Sequence, residues 1–539
     1  MFSTERKVHG LYRHKFDLIV NWSYLMDRKD LNSGEPLMRL HLKYGQSTSW
    51  VHVKDISLYR HNSPFCQQEI PIDYFQDTTH KLKVELLNVN SGLRDFIEPR
   101  EFSIEGIMKD PTNSVSYSYQ NSKSKQPEVN IRTRWRARDD FTYNLDIKVT
   151  GVKDIEWMSK TDPYVRILRL SPKYSTPPKS IEAIAPEDWY MVAYSEVIQD
   201  DLNPDFAPFI MPSGLLCDNN PKWPLRMELW DYEKGNNAAH RYLGRWLFTI
   251  DQLETKEKDG GTFLDEGKHS VGKIIIQSFE IKKEYDIQDC FREGLEFNTM
   301  VCIDYSEKNG KLGTPEYMHN ISPDSMNIYQ KAILNVLPSF FLYDQDKNIP
   351  LYGLAAKFPG LSVDTKDFFK VLGRCSTNRV PDNAEMVNYF YMSSFTYTVG
   401  APNLNLAPCF RHILDWVKEY TKNRPYYYTV VVILMAGVMS DFAEVLSLLQ
   451  SVSKLPISFI IVDMSSNTDL TFETLALKAI DNDNLTAKYD GKLLERDIVQ
   501  YVNFRKYESN PVEAIYEIMS ELPRQIVSYF QLNNLFLKK

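Results

Sequence analysis

The sequence predicts a multidomain fold in which two all-β antiparallel sandwiches are followed by a doubly wound α/β domain. The chain has 539 residues, and a domain takes roughly 100–200 residues, so about three domains are expected. From residue 15 to 288, apolar residues recur at every second position, as in half-buried strands. After residue 290, compact apolar runs alternate with helical segments, which is typical of a parallel sheet covered by helices.

The first part of the chain contains many short candidate strands separated by Gly, Pro, Asn and Asp. Such spacing over about 270 residues favours two antiparallel sandwiches. The most polar stretch, residues 111–130, has the composition of a loop or linker. The alternating runs are FDLIVNW (16–22), MRLHLKY (38–44), KLKVELLNV (81–89), NLDIKVTGV (144–152), YVRILRL (164–170) and LRMELWDY (225–232).

The last part of the chain alternates strands and helices. The predicted strands are FNTMVCID (297–304), IPLYGLAAKF (349–358), YYYTVVVILMAG (426–437) and PISFIIVDM (456–464). The predicted helices lie within residues 325–337, 407–420, 441–452 and 511–530. Ligands of such folds bind at the carboxyl ends of the strands, so the loop at residues 304–310 is the expected site.

Composition excludes several classes of protein. The net charge of −8 argues against a general nucleic-acid binder, which usually carries a basic surface. No segment approaches the roughly 20 apolar residues of a membrane-spanning helix, and the N-terminal segment is charged where a signal peptide would be apolar. We therefore expect a cytoplasmic protein that is not secreted and has no transmembrane segment. Its cysteines are expected to be reduced core thiols: Cys66, Cys217, Cys290, Cys302, Cys375 and Cys409.

No catalytic signature is present in the sequence. We find no P-loop, nucleophile elbow, HExxH segment, dinucleotide-binding glycine pattern or kinase signature set, and the histidines lack ligand spacing. The expectation is a protein that is not an enzyme and has no small-molecule substrate.

Several segments along the chain form a recognisable set. The first part of the chain contains GEPLMRLHLKY (34–44), SKTDPYVRI (159–167), YSEVIQDDLNPDF (194–206), MELWDYE (227–233) and YLGRW (242–246). The last part contains MHNISPDSMNIYQKAI (318–333), YDQDKNIPLYGLAA (343–356), RDIVQYVNFRKY (496–507) and ELPRQIVSYF (521–530). In this order the segments resemble the copine family, in which two C2 domains precede a von Willebrand factor A-like domain. The resemblance implies a first C2 domain at residues 1–139, with the polar loop 111–130, a second at 140–289, and a von Willebrand factor A-like copine domain at 290–539.

The resemblance implies calcium sites in the C2 domains, built from carboxylates on two loops. Calcium takes six to eight oxygen ligands, and lipid phosphates can complete its shell. In the second C2 domain the matching residues are Glu156, Asp162, Asp231 and Glu233. Arg241 falls near the remaining position, where its guanidinium could pair with Asp231 or Glu233. Calcium here is a candidate, and solvated loop carboxylates are the alternative.

The first C2 domain offers a poorer ligand set. The residues near its ligand positions are Asp30, Glu35, Asn88, Asn90 and Glu101, so neutral amides replace two charges. We expect this sandwich to serve as a packing surface.

The resemblance also implies a metal-ion-dependent adhesion site in the third domain, and the residues indicate that this site is degenerate. Asp304 and Ser306 keep two ligand types, whereas Lys308, Leu404 and Ala436 stand where oxygen ligands would be. No magnesium is expected, because magnesium demands near-octahedral oxygen geometry. The Lys308 ammonium either takes the place of the ion beside Asp304 or points to solvent. Asp441 is expected to cap the helix that it precedes.

Two functions remain open. One is a copine-like adaptor or scaffold that binds protein partners in a cytoskeletal or membrane-associated assembly. The alternative is a peripheral membrane protein that binds anionic phospholipid with calcium through the second C2 domain. The aromatic run Asn388-Tyr389-Phe390-Tyr391-Met392 is compatible with either an interface or a core.

Overall fold

The computed structural model divides into two compact units, one ending at Glu284 and the other beginning at Tyr285. The three-domain division at residues 139 and 289 stays a prediction. The segment 111–130, predicted to be a loop, contains a strand at Ser114–Ser118, because its backbone pairs antiparallel with the strand Glu128–Trp135. The structure describes residues 14–23, 36–45, 50–57, 66–74, 79–88, 94–110, 114–118, 128–135, 139–155, 159–171, 174, 176, 178, 181, 184–185, 188–233, 240–255, 260–345, 348–359, 365–371, 379–381, 384–466, 472–481, 488–489, 492–493 and 495–536.

The first unit opens with two four-stranded antiparallel sheets, ordered β4-β1-β8-β7 and β3-β2-β5-β6. Buried residues alternate with more exposed ones along β2, so one face of that strand enters the core, as its period predicts. Leu18 and Val20 from the first sheet share this core with Leu40 and Leu82 from the second. The elements are β1 (His14–Ser23), β2 (Pro36–Tyr44), β3 (Val51–Ser57), β4 (Cys66–Tyr74), β5 (His80–Asn88), β6 (Arg94–Ser103), α1 (Ile104–Lys109), β7 (Ser114–Ser118) and β8 (Glu128–Trp135).

The same unit continues into eight antiparallel strands ordered β11-β10-β13-β14-β15-β16-β9-β12. Their buried residues form a core of their own, to which β9, β10 and β13 contribute alternating side chains. The elements are β9 (Phe141–Thr150), β10 (Pro163–Leu170), β11 (Trp189–Tyr194), β12 (Phe209–Pro212), α2 (Ser213–Cys217), β13 (Leu225–Asp231), β14 (Arg241–Phe248), α3 (Ile250–Thr255), β15 (Thr262–Leu264) and β16 (Ser270–Lys283).

Strand β10 differs from the half-exposed strand that its alternation predicts, because it is buried along its whole length. Val165 and Ile167 enter the core. Arg166 is also buried, and its guanidinium lies 4.3 Å from the centre of the Trp230 ring. Stacking on an aromatic face is a favourable way to bury a guanidinium. The polar residues of the pattern therefore form a second buried layer on the opposite face of the strand.

The second unit contains a mostly parallel sheet ordered β19-β18-β17-β22-β23-β26. Strands β18, β17, β22, β23 and β26 are mutually parallel, whereas β19 pairs antiparallel with β18. The described elements are α4 (Ile287–Arg292), β17 (Glu296–Asp304), α5 (Ile328–Phe341), β18 (Asn348–Lys357), β19 (Thr365–Lys370), β20 (Arg379–Pro381), α6 (Ala384–Ser394), β21 (Val399–Gly400), α7 (Ala407–Thr421), β22 (Tyr427–Met435), α8 (Phe442–Val452), β23 (Ile457–Asp463), α9 (Phe472–Ile480), β24 (Lys488–Tyr489), β25 (Lys492–Leu493), β26 (Val499–Asn503), α10 (Pro511–Ile518) and α11 (Leu522–Leu532).

Both faces of the central strand β17 are buried. Met300 and Cys302 pack in one core with residues of α7, and Val301 and Ile303, which point the other way, are also buried. The α/β architecture predicted from the alternation of strands and helices is therefore present. The chain leaves β17 toward β18 on one side and later returns to β22 on the other, so the strand order reverses between β17 and β22. In open α/β sheets this is where ligand sites form.

The structure confirms buried thiols and reveals no membrane span in the part of the chain that it describes. Four cysteines are described with their side chains, and all are buried and free: Cys217, Cys290, Cys302 and Cys409. Among the described helices, none combines the length and apolar character needed to cross a bilayer.

Arg496 ties together the strands and the last helix of the α/β unit. It is 3% exposed, and its guanidinium donates to the carbonyls of Ile457, at 2.8 Å, and Gln525, at 3.0 Å. It also donates to the Tyr428 hydroxyl at 2.9 Å. A buried guanidinium needs this many acceptors, because each of its N–H groups has left water.

We expect Arg496→Ala to lower the free energy of unfolding of the α/β unit by about 3 kcal/mol, since buried acceptors lose their donor. Urea titration measures this loss, with hydrogen exchange of peptides from β22 and β23 as the observable. Arg411→Ala is the matched control, because Arg411 and its partner Glu444 are each about half exposed and such pairs contribute about 0.5 kcal/mol or less. Equal losses in both variants would contradict this role for Arg496.

Candidate functional site

The carboxylate of Asp304 lies at the carboxyl end of β17, beside β22, where the strand order reverses. Its side chain is fully buried. Oδ1 accepts a hydrogen bond from the Ser306 backbone N–H at 2.8 Å, and Oδ2 accepts one from the Ala436 backbone N–H at 3.1 Å. Burial raises the pKa of Asp304, and the two N–H groups oppose that rise. Each carboxylate oxygen therefore already has a protein donor.

Of the other positions predicted for an adhesion site, Ser306 and Ala436 lie beside Asp304 and donate to it through their backbone N–H groups. Ser306 is buried beside it, whereas Leu404 and Ala436 are buried apolar side chains with no oxygen to offer. In the described residues, no group of three or more His, Cys, Asp or Glu side chains could hold a metal ion. One carboxylate and one hydroxyl do not fit magnesium, which requires octahedral oxygen coordination.

Lys308 lies in a short 3-10 helix, Glu307–Asn309, that follows Asp304 and Ser306. Its side chain is half-buried and extends over the loop after β22, because a Cβ placed on Gly437 would lie 3.6 Å from its Cδ and 4.0 Å from its Nζ. Gly437 has φ 75°, a left-handed conformation that favours glycine. The ammonium therefore lies over the residue that follows Ala436.

The backbone carbonyl of Asp304 is held by a buried polar network that no motif in the sequence predicts. His319 Nε2 lies 2.8 Å from the Asp304 carbonyl oxygen, and its Nδ1 lies 2.8 Å from the Tyr391 hydroxyl. Burial lowers the pKa of His319 to about 3, so the ring is neutral at physiological pH. Because the carbonyl can only accept, Nε2 carries the proton and Nδ1 accepts from Tyr391.

Asn309 and Tyr329 complete this network. The Asn309 side-chain amide donates to the Asp304 carbonyl at 3.2 Å, and the Tyr329 hydroxyl donates to Asn309 Oδ1 at 2.6 Å. His319 and Tyr329 both fall in the copine-like segment 318–333. The available signal was their place in that segment, since the spacing of the histidines alone carries no indication of a site.

The expectation that the side chain of Asp441 caps the helix α8 is wrong. Asp441 stands at the start of α8, but its side chain makes no capping hydrogen bond there. Its oxygens instead accept from the backbone N–H groups of Leu406, at 3.0 Å, and Ala407, at 2.7 Å. Asp441 therefore stabilises the start of α7, because the free N–H groups at a helix N-terminus favour a carboxylate. Sequence proximity to α8 was a poor guide to its partner.

In the second sandwich the structure brings Asp162 and Asp231 together. The Asp162 backbone N–H donates to Asp231 Oδ1 at 2.9 Å, and Asp162 Oδ1 accepts from the Asp200 N–H at 2.7 Å. Asp231 is fully buried. Two of the four carboxylate oxygens in this pair therefore accept backbone hydrogen bonds.

Glu233, the next candidate calcium ligand, is paired with Arg241. Its carboxylate forms an ion pair with the guanidinium, which is half exposed. Arg241 is expected to pair with Asp231 or Glu233, and the ion pair in the structure is with Glu233. Because a guanidinium at this position competes with a cation for the carboxylate, the described residues fit calcium poorly.

Several predicted calcium ligands lie outside the residues that the structure describes. Glu156 is outside the described residues, as are Asp30, Glu35 and Asn90 of the first sandwich, while Asn88 is described through its backbone alone. Glu101 is exposed on β6. The calcium assignments in both sandwiches stay predictions.

Comparison with known proteins adds a family match and several low-scoring structural similarities. Residues 317–538 match the family model described as Copine. A solved structure titled "BON1-C2B" is similar at 16% identity over 27% of this chain and 93% of that one, with a TM-score of 0.21. A C2 domain of plant extended synaptotagmin 1 is similar at 15% identity over 28% and 99%, with a TM-score of 0.20. The manganese-loaded Plasmodium vivax TRAP protein is similar at 9% identity over 41% and 74%, with a TM-score of 0.25.

The family match covers most of the α/β unit. It begins after β17 and takes in the network residues His319, Tyr329 and Tyr391 as well as Leu404 and Ala436. The four segments that carry the resemblance in the third domain all fall inside it. Residues 317–538 therefore form a Copine domain, and the chain is similar to the copine family over that part.

Proposed function

We propose that this chain is a non-enzymatic, copine-like adaptor that binds protein partners within a larger cytoskeletal or membrane-associated assembly. The observation that carries the proposal is the arrangement at Asp304. Backbone N–H groups of Ser306 and Ala436 engage both carboxylate oxygens, and apolar or cationic side chains stand at three ligand positions. A domain of this kind recognises partners through its surface instead of through a metal ion shared with the ligand.

Lys308, in this proposal, supplies the positive charge that a metal ion would otherwise bring to the end of β17. Its half-buried side chain reaches over Gly437, next to Ala436, whose N–H binds Asp304. An ammonium and a divalent cation repel each other, and the repulsion grows stronger in a poorly solvated site. The ammonium therefore disfavours metal binding even where an oxygen ligand remains.

Burial of the polar groups around Asp304 supports a role other than catalysis. Asp304 is 0% exposed and His319 is 1% exposed, and each is fully engaged in hydrogen bonds within the protein. A general acid or base must come within hydrogen-bonding reach of its substrate. The most perturbed titratable groups of the site therefore serve to hold β17 and its following loop in place.

The alternative function is calcium-dependent binding of anionic phospholipid through the second C2 domain, and the meeting of Asp162 and Asp231 is the observation that favours it. The Arg241–Glu233 ion pair opposes it. We propose that this ion pair replaces the bound cation in the second sandwich.

Co-sedimentation with vesicles of phosphatidylserine and phosphatidylcholine separates the two functions. We expect the purified chain to show no calcium-dependent pelleting, because Arg241 neutralises Glu233 and two aspartate oxygens accept backbone hydrogen bonds. Asp162→Asn combined with Asp231→Asn should then behave like the natural chain. We expect Arg241→Asp to increase calcium-dependent pelleting, while Lys282→Asp, a charge reversal at an exposed lysine, should not.

Two results would change the assignment. Pelleting of the natural chain that needs calcium and disappears in the aspartate variant would establish the membrane-binding alternative. Pelleting that ignores calcium and the substitutions would indicate electrostatic membrane contact through another face.

Restoring oxygen ligands tests the loss of the adhesion site. We expect Mn²⁺ to raise the melting temperature of Lys308→Ser/Leu404→Thr/Ala436→Asp but not that of the natural chain, since a bound ion stabilises the native state, by about 2.7 kcal/mol at 100-fold excess over Kd. The double variant Leu404→Thr/Ala436→Asp keeps the lysine and is the matched control. If Lys308 takes the place of the ion, the double variant should respond less to Mn²⁺ than the triple variant.

An equal rise in melting temperature with Mn²⁺ in the natural chain and in the triple variant would contradict the loss of the site. An equal response of the double and triple variants would show that Lys308 does not oppose the ion.

A further inference from the structure

A pocket of about 980 Å³ opens beside strand β19 in the α/β unit. Six of its fourteen lining residues are aromatic, and the lining comes from the residues after β18, from β19, and from α6 with the segment that follows it. The rings of Phe358, Phe369, Tyr389 and Tyr397 all line it. Ligand pockets have this size and are lined mainly by apolar and aromatic side chains.

The pocket is built on the same aromatic layer that supports Asp304. Phe369 and Phe395 line the pocket, and their ring centres lie 5.4 and 5.1 Å from that of Tyr305. Tyr305 follows Asp304 and is buried, with its hydroxyl 2.7 Å from the Ser394 hydroxyl. The pocket therefore has a packed floor, next to the loop where the strand order reverses.

Gly353 on β18 allows this floor to form. A Cβ at Gly353 would lie 2.2 Å from Cζ of Phe369, so the aromatic ring rests directly on the strand backbone. Phe358 packs edge-on against Phe369, with ring centres 4.9 Å apart. These contacts hold the wall in place before any ligand binds, which reduces the entropy cost of binding.

The charge of the pocket is opposite to that of the chain. Among its described lining residues, the ionisable side chains other than tyrosine are Lys366 and Lys370, and both are exposed. The chain as a whole has a net charge of −8. Two ammonium groups beside an aromatic cavity, with no carboxylate among the described lining residues, favour an anionic ligand that also carries an apolar group.

The exposed aromatic rim and the edge strand point to a protein segment as that ligand. Tyr389 is 59% exposed at the pocket although Tyr391, two residues later, is fully buried. The aromatic run at residues 388–392 thus contributes to both surface and core. In the described part of the sheet β19 is the outermost strand, so its free backbone edge can pair with an extended peptide.

We propose that this pocket binds an acidic, extended protein segment, inserting an aromatic or large aliphatic side chain between Phe358, Phe369 and Tyr389 while Lys366 and Lys370 pair with its carboxylates. This inference rests on the proposed adaptor function and gives the chemistry of its partner. The segment contributes backbone hydrogen bonds at β19, an apolar anchor in the pocket and negative charge at the rim.

Fluorescence anisotropy of the full chain with labelled synthetic peptides tests the proposal. The probe is a short peptide of Asp and Glu residues around a central Trp-Phe pair. The matched peptides replace the Trp-Phe pair by Ala-Ala, or replace the acidic residues by Lys and Arg. The acidic aromatic peptide should bind, and each replacement should weaken binding by at least about tenfold, or 1.4 kcal/mol.

Substitutions in the chain locate the binding site. Lys366→Glu/Lys370→Glu and, separately, Tyr389→Ala should each raise the Kd of the acidic aromatic peptide by about tenfold or more, because centrally placed aromatic and charged anchors dominate such interfaces. Lys418→Glu and Leu312→Ala change exposed residues outside the pocket and should leave the Kd unchanged. Matching circular dichroism spectra and melting temperatures would show that the pocket variants fold.

Three results would overturn the inference: no binding of the acidic aromatic peptide, binding that the pocket variants do not weaken, or equal binding of the Ala-Ala peptide. Vesicles of phosphatidylserine that bind through Lys366 and Lys370, with no peptide binding, would also overturn it in favour of a membrane contact. The adaptor function fails separately, if the natural chain pellets with vesicles only in calcium, whatever the peptides show.

Discussion

The buried carboxylate of Asp304 is the group around which the α/β unit is organised at the reversal of its strand order. A carboxylate removed from water costs several kcal/mol unless hydrogen bonds compensate it. Here the compensation comes from the backbone N–H groups of Ser306 and Ala436, which belong to the loops after β17 and β22. The one side chain therefore fixes both loops at the edge of the sheet, and His319 and Asn309 fix the carbonyl of the same residue.

The two candidate metal sites of this chain share one feature, which is that groups of the protein itself engage their carboxylates. In the α/β unit, backbone donors and a nearby ammonium accompany the remaining carboxylate. In the second sandwich, Arg241 pairs with Glu233 while backbone N–H groups engage Asp162 and Asp231. In the function we propose, these groups of the protein take the place of a bound ion. Loops that an ion would organise would then stay ordered without it, as an adaptor with fixed surfaces requires.

Much of the fold and part of the site could be predicted from the sequence, because both depend on local pattern. Alternation along β2 and β9, and the succession of strands and helices after residue 290, reflect the periods of the backbone itself. The buried face of β10 could not be predicted, since it arises when Arg166 stacks on Trp230 of a neighbouring strand. The partner of Asp441 and the role of His319 depend on residues brought together by the sheet, which no spacing along the chain records.

Crystals of the full chain soaked in Mn²⁺ would test the central claim most directly, because anomalous scattering locates manganese without assumptions about its ligands. The account predicts no anomalous peak beside Asp304, with the Ser306 and Ala436 N–H groups on its two oxygens and the Lys308 ammonium over Gly437. A manganese peak coordinated by Asp304 and Ser306, with Lys308 displaced toward solvent, would contradict it.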